Sequence, residues 1–200
     1  MGAIILSAGR SLRMGTTKAL LPWGPEPLLA AWVHRFADVG IGPIVVVLNP
    51  DGGFIRATVE PLLDPEVDVR WTENPDPDRS GLRESLLYGL DALPAGHDAF
   101  FTPVDVPVVP ADTLRAVRAG FEGASPLPLA AVPRWEGAPG HPVLAGPDLV
   151  QRLFQGEHGD RVDQLLAWAT RRLLQVEVPH PEVAADMDTP EDYARWAPGE

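Results

Sequence analysis

Directly after a short apolar run the chain reads Leu6-Ser7-Ala8-Gly9-Arg10-Ser11-Leu12-Arg13-Met14-Gly15-Thr16-Thr17-Lys18, which sets Arg10, Arg13 and Lys18 within nine residues. Small residues let backbone N–H groups approach a polyphosphate, and the three cations supply the charge that phosphate oxygens require. A second apolar run, Phe100-Phe101-Thr102-Pro103, leads into Val104-Asp105-Val106-Pro107, and Asp186 and Asp188 stand two residues apart near the C-terminus. In an extended segment, side chains so spaced point the same way. A hard cation such as Mg²⁺ needs few protein carboxylates plus phosphate oxygens, so these acids and that loop suit metal-assisted transfer of a phosphorus-centred group.

Each feature also has an ordinary structural explanation. The basic loop equally suits a solvated turn in which Gly9 and Gly15 only reverse the chain. Asp105 equally suits a turn or helix cap ahead of the bend from Pro107 to Pro110. Thr189-Pro190-Glu191-Asp192 has the form of a helix start, with Pro at the first helical position and a capping box. The glycine spacing is neither G-x-G-x-x-G nor G-x-x-x-x-G-K-[ST], so those nucleotide-binding classes lose weight.

The elements that must position these residues alternate along the chain. Residues 3–7, 44–48, 67–71 and 99–102 read as strands buried on both faces. Between them, Leu28, Trp32, Phe36 and Val39 recur at helical spacing, as do Leu82, Leu86, Leu90 and Leu93. Strand, helix, strand, helix predicts a parallel sheet with right-handed crossovers. Beyond Asp105 a helix over 111–121 precedes strands over 127–132 and 141–144 and then further helix, so the sheet is expected to be mixed. Trp32, Trp168 and Trp196 read as packing residues, and His34, His97, His158 and His180 as structural or exposed.

Composition narrows the function classes. The 200 residues are 45% hydrophobic and 22% charged, the balance of one globular domain, residues 1–200, with its own core. Lys and Arg total 16 against 28 Asp and Glu, a net charge of −12. Such acidity disfavours nucleic acid and anionic membranes as partners and makes any phosphate site a local positive island. The absence of Cys removes disulfides, thiolate metal sites and Cys nucleophiles. The start of the chain shows no basic leader or long apolar stretch, so a cytoplasmic enzyme is expected.

The stretch from Leu6 to Leu21 closely resembles the LxAGxSxRMGxxKxLL signature of the MobA-like nucleotidyltransferases, with Ser7 where Ala is usual. The resemblance implies a three-layer α/β/α, Rossmann-like domain with a mostly parallel mixed sheet, of the nucleotide-diphospho-sugar transferase type. It divides the chain at about residue 105 into an NTP-binding half and an acceptor-binding half. It implies that the loop wraps the triphosphate through Leu6, Ala8, Gly9, Arg10, Ser11, Arg13, Met14, Gly15 and Lys18, with Arg13, Lys18 and Asp105 as the catalytic residues. The family's Asp-x-Pro acid corresponds to Asp105 and its residue before Thr-Pro to Asp188, which together bind Mg²⁺ or Mn²⁺, with Asp186 as the second choice beside Asp188.

Asn74, followed by Gly81-Leu82-Arg83-Glu84-Ser85-Leu86, resembles the N…G-Met-Ser-x-Ser-Leu pattern of the molybdenum cofactor cytidylyltransferase branch, although Leu82 and Arg83 depart from it. That resemblance assigns Asn74, Gly81 and Ser85 to the NTP site and favours CTP over GTP. Gly140-His141-Pro142-Val143 is similar to an element of the same branch and implies that His141 contacts the acceptor, a small phosphorylated molecule of the molybdopterin type; a His satisfied by backbone at the start of a strand is the alternative. The rival readings keep the fold but use GTP or another NTP with a sugar 1-phosphate, methylerythritol phosphate or phospholactate, or make the chain a non-catalytic chaperone that delivers molybdenum cofactor to a molybdoenzyme client.

Overall fold

The computed structural model describes residues 1–9, 17–77, 79, 81–155 and 172–199. Its centre is an extended sheet whose alternating side chains divide between two cores. In β1 (Gly2–Ser7), Ala3 and Ile5 face one cluster while Ile4 and Leu6 face the other, the period of two expected of a strand covered on both sides. β4 (Ile44–Leu48) repeats this, with Ile44 and Val46 on one face and Val45 and Val47 on the other. The first face is covered by α1 (Leu28–Asp38), α2 (Gly53–Val59) and α4 (Ala111–Gly123) through Trp32, Phe36, Ile55, Leu114 and Phe121. The second is covered by α3 (Leu82–Asp91) and α5 (Pro147–Gln155) through Leu86, Leu90, Leu149 and Leu153. Helix, sheet and helix form three layers.

The remaining strands are β5 (Val69–Glu73), β6 (Ala99–Pro103), β7 (Ala130–Trp135), β8 (Ala138–Pro139), β9 (Val143–Ala145) and β10 (Leu173–Glu177). They order as β10-β7-β9-β6-β1-β4-β5, with β8 paired to β7. β1 lies parallel between β4 and β6, and β9 runs antiparallel to both of its neighbours, so the sheet is mixed but mostly parallel. From β1 the chain goes first to one side and later to the other, which opens a crevice outside the carboxyl ends of β1 and β6. A small hairpin, β2 (Pro22–Trp23) with β3 (Glu26–Pro27), and a terminal helix, α6 (Pro190–Trp196), flank that crevice.

Three strand expectations shift, and the strand expected over 141–144 is β9, beginning at Val143 after Pro142. The strand expected over 67–71 as buried on both faces is β5, two residues later and half-buried, because it is the outer strand beside β4 and presents Arg70 and Thr72. The strand expected over 127–132 begins instead at Ala130, because Pro126 and Pro128 withhold ladder donors. Trp168 and His158 lie outside the described residues. Among the described residues no helix is long and apolar enough to cross a membrane.

Candidate active site

The crevice is assembled from three distant parts of the chain. β1 and β6 are in register with Leu6 opposite Pro103, and the Val104 N–H donates to the Leu6 carbonyl at 3.0 Å, so Asp105 follows immediately past the ladder. Two further bonds fix its loop. The buried Trp32 indole N–H donates to the Val106 carbonyl at 3.0 Å, and the Met187 N–H donates to the Asp105 carbonyl at 2.9 Å. Met187 is fully buried while the acids on either side of it are not, so an inward-facing Met forces Asp186 and Asp188 outward together.

Lys18 opens a short 3₁₀ turn, Lys18–Leu20, anchored by buried Ala19. Its ammonium donates to Asp105 at 2.8 Å and to Asp188 at 2.6 Å, joining residues 87 and 170 positions away. Burial, the largest single influence, works to lower the Lys18 pKa, but its hydrogen bonds to both acids and their charges outweigh that and raise it above the ordinary value. Asp186 moves upward too: burial disfavours its charge, and the negative charges of Asp105 and Asp188 add to the penalty, with Lys18 opposing. A cavity of about 190 Å³ lies against Lys18 and Asp105, walled also by Ala8, Gly9, Leu82 and Val104.

The helix-start reading of Thr189 holds alongside this. Thr189 caps α6, accepting from the Asp192 N–H while the Asp192 carboxylate accepts from the Thr189 N–H. The cap uses Asp192 and leaves Asp186 and Asp188 to the crevice.

Other expected residues take different places. Asn74 and Ser85 are buried and bonded to each other at 2.9 Å, and Asn74 also accepts from the Asp76 N–H, so they brace the start of α3. The Gly81 N–H donates to Glu84. Leu82 reaches the Lys18 cavity, whereas the Arg83 guanidinium turns away and donates to the Leu153 carbonyl at 2.6 Å, tying α3 to α5. His141 lies partly buried against Phe101, with its ring nitrogen 3.5 Å from the Phe101 carbonyl. Burial pushes its pKa below the ordinary value, against the Phe101 bond and the charge of nearby Asp105. The preceding Gly140 touches the backbone at Val183, and the His141 N–H donates to the Val183 carbonyl, so this stretch supports the segment carrying Asp186 and Asp188. Arg10, Ser11, Arg13, Met14 and Gly15 lie outside the described residues.

Sequence reasoning missed Trp32 as a support of the Asp105 loop, treating it as packing alone. It also missed Asn49, whose amide donates to the Ala8 carbonyl at 3.3 Å. The one clue to Asn49 was its position immediately after β4, at the same edge of the sheet.

Among the described residues no group of three or more acids or histidines converges as a metal cage. Two carboxylates do converge on one cationic atom, and hard oxygen donors of that number suit Mg²⁺ or Mn²⁺ when phosphate oxygens complete the shell.

A family model described as the MobA-like NTP transferase domain matches residues 3–178. The molybdenum cofactor cytidylyltransferase of Escherichia coli is 26% identical over 190 residues, 95% of this chain and 92% of that protein. The 2-C-methyl-D-erythritol 4-phosphate cytidylyltransferase of Streptomyces avermitilis is 37% identical over 136 residues, 66% of this chain and 53% of that one. The molybdenum cofactor guanylyltransferase of Rhodobacter capsulatus is 28% identical over 208 residues, 98% and 94% of the two chains. A solved nucleotidyl transferase from Methanothermobacter thermautotroptrophicus superposes with a TM-score of 0.79 at 25% identity, covering 98% of this chain and 95% of that one.

Proposed function

Because this chain belongs to the MobA-like NTP transferase family, we propose that it transfers CMP from CTP to a small phosphorylated acceptor of the molybdopterin type and releases pyrophosphate. The observation that carries the chemistry is the meeting of Lys18, Asp105 and Asp188 at the carboxyl ends of β1 and β6. In the reaction an acceptor phosphate oxygen bonds to the α-phosphorus as the bond from that phosphorus to the α,β-bridging oxygen breaks. Pyrophosphate leaves with that bond's electrons, so no protein nucleophile is needed. Lys18 meets the phosphate oxygens with the loop cations, and positioning supplies much of the remaining acceleration.

Asp105 and Asp188 would hold Mg²⁺, or Mn²⁺ in its place, with Asp186 adjacent. When bound, such an ion neutralises charge on the triphosphate. His141 borders the acceptor side as a neutral group near Asp105.

CTP is favoured by the resemblance of the stretch from Asn74 to Leu86 to the cytidylyltransferase pattern and by two cytidylyltransferase relatives. GTP is the second reading, favoured by the guanylyltransferase relative that matches nearly the full chain. Pyrophosphate release is to be measured with CTP, GTP, ATP and UTP, each with Mg²⁺ and either a molybdopterin-type acceptor or methylerythritol phosphate. The expected result is release with CTP and the pterin. Release with GTP alone replaces the nucleotide, release with the sugar phosphate alone replaces the acceptor, and binding without release in every arm rejects transfer.

A further inference from the structure

Lys18 is the only lysine in the chain; the other fifteen of its sixteen Lys and Arg residues are arginines. The distinction matters at this position. An ammonium is a compact charge with three donors, far closer in shape to a small metal ion than a planar guanidinium is. Its Nζ lies 2.8 Å from an Asp105 oxygen and 2.6 Å from an Asp188 oxygen, in the gap an oxygen-coordinated divalent ion would need. Two cations cannot share that gap. The segments that carry the two acids are joined without Lys18, since the Met187 N–H donates to the Asp105 carbonyl and buried Met187 leaves its neighbours on the less buried side. Lys18 also lines the cavity beside Ala8 and Gly9, where the anionic oxygens of a triphosphate would meet it.

We propose that Lys18 is a placeholder cation: it occupies the Asp105–Asp188 pair until a triphosphate draws it onto phosphate oxygens, so that the divalent ion is captured with the nucleotide and not before it. The proposal rests on the metal and NTP assignment above. It gives Lys18 two alternating partners and makes metal binding by the free protein weak by construction. A permanently bound ion would instead leave the ammonium with no place between the acids.

The test uses the full chain and reads binding, not turnover. Free Mn²⁺ is followed by electron paramagnetic resonance without nucleotide, in the wild-type chain, in Lys18→Met and in Arg56→Met. Arg56 is an exposed partner of Glu60 on α2 and controls for the loss of one positive charge. Lys18→Met is expected to bind Mn²⁺ at least about tenfold more tightly than wild type, a gap of about 1.4 kcal/mol, with Arg56→Met unchanged. Equal or weaker binding by Lys18→Met, or equal tightening in Arg56→Met, overturns the proposal.

A second measurement needs no variant. With one lysine, ¹⁵N-lysine labelling gives a single side-chain ammonium resonance. Millimolar Mg²⁺ alone is expected to leave it in place, and CTP or GTP in EDTA to shift it. A shift with Mg²⁺ alone overturns the placeholder role. If no nucleotide moves the resonance while Lys18→Met still gains Mn²⁺ affinity, the failure belongs to the NTP assignment and the competition for the acids stands.

Discussion

The two ends of the central sheet hold cavities of opposite character. At the amino end of β6 a cavity of about 420 Å³ lies between Leu90, Leu93, His97, Val150 and Phe154, and among the described residues no Lys or Arg lines it. At the carboxyl ends of β1 and β6 the cavity is less than half that size, about 190 Å³, and its wall carries Lys18 and Asp105. The larger cavity lies between the carboxyl end of α3, the turn that follows it and α5. The smaller one forms where the strand order reverses, so loops from distant parts of the sequence must meet there. Volume follows from how helices end, whereas chemistry follows from where strands diverge.

The strongest way to break this contrast is to change one group at each end. Asp105→Asn keeps size and removes charge, and it is expected to lower pyrophosphate release by about 10²- to 10³-fold, the scale of losing one preorganised charge contact. Its melting temperature should stay within a few degrees of wild type, since Asp105 is not core. Phe154→Ser at the opposite cavity, where the side chain is already 50% exposed, should leave the rate within about twofold. Steady-state kinetics on both variants decides the matter, and a Phe154 variant as impaired as Asp105→Asn would place the chemistry at the wrong end.

Two glycines sharpen the contrast through stability. A Cβ at Gly140 would sit 1.9 Å from the Val183 carbonyl oxygen, a backbone clash that no rotamer relieves. Gly140→Ala is expected to cost about 3 kcal/mol, the upper range of overpacking, and to slow the reaction as well, because Val183 leads directly into Asp186 and Asp188. A Cβ at Gly89 in α3 would meet Ile4 at 2.5 Å and Val47 at 3.1 Å, both stiff β-branched side chains. Gly89→Ala gains about 1 kcal/mol of helix propensity and loses more to overpacking, for a net cost of about 1–2 kcal/mol. Its remaining folded fraction should react at the normal rate. Urea unfolding paired with kinetics separates the two, and a Gly140 variant that loses stability alone would detach that stretch from the site.

The sequence made the parts of this site legible, and the family resemblance implied that they meet, but the contacts that bring them together stayed hidden. The basic loop, Asp105 after an apolar run and the paired acids Asp186 and Asp188 are all local patterns, readable because a strand's period of two and a glycine's small size act within a few residues. The layers were legible for the same reason, since Trp32 and Phe36 recur on one face of α1. That Lys18 lies between Asp105 and Asp188 was not legible, because it depends on β1 pairing with β6 and on Met187 docking beneath Asp105, contacts set by the whole sheet. Arg83 teaches the same lesson in reverse. It stood out in the sequence as a departure from the cytidylyltransferase pattern, but its guanidinium donates to the Leu153 carbonyl in α5 and leaves Leu82 as the changed wall of the cavity.

The smallest expected effect belongs to His141 and tests how closed its surroundings are. Burial holds its pKa below the ordinary value, so near neutral pH the folded chain carries a neutral imidazole. Below about pH 6.5 the unfolded chain binds a proton there that the folded chain does not, and stability must fall as pH falls from 6.5 toward the lowered value. His141→Asn removes that proton and should flatten this part of the melting-temperature profile by no more than a few degrees. Asp186 contributes in a different window and with opposite sense: its raised pKa gives stability below the usual carboxylate range that is lost as pH rises through the folded value. The difference between wild type and His141→Asn therefore isolates the imidazole. Parallel profiles for the two would mean that His141 titrates as freely folded as unfolded, and that its surroundings are open to water where the geometry has them closed by Phe101 and the Val183 segment.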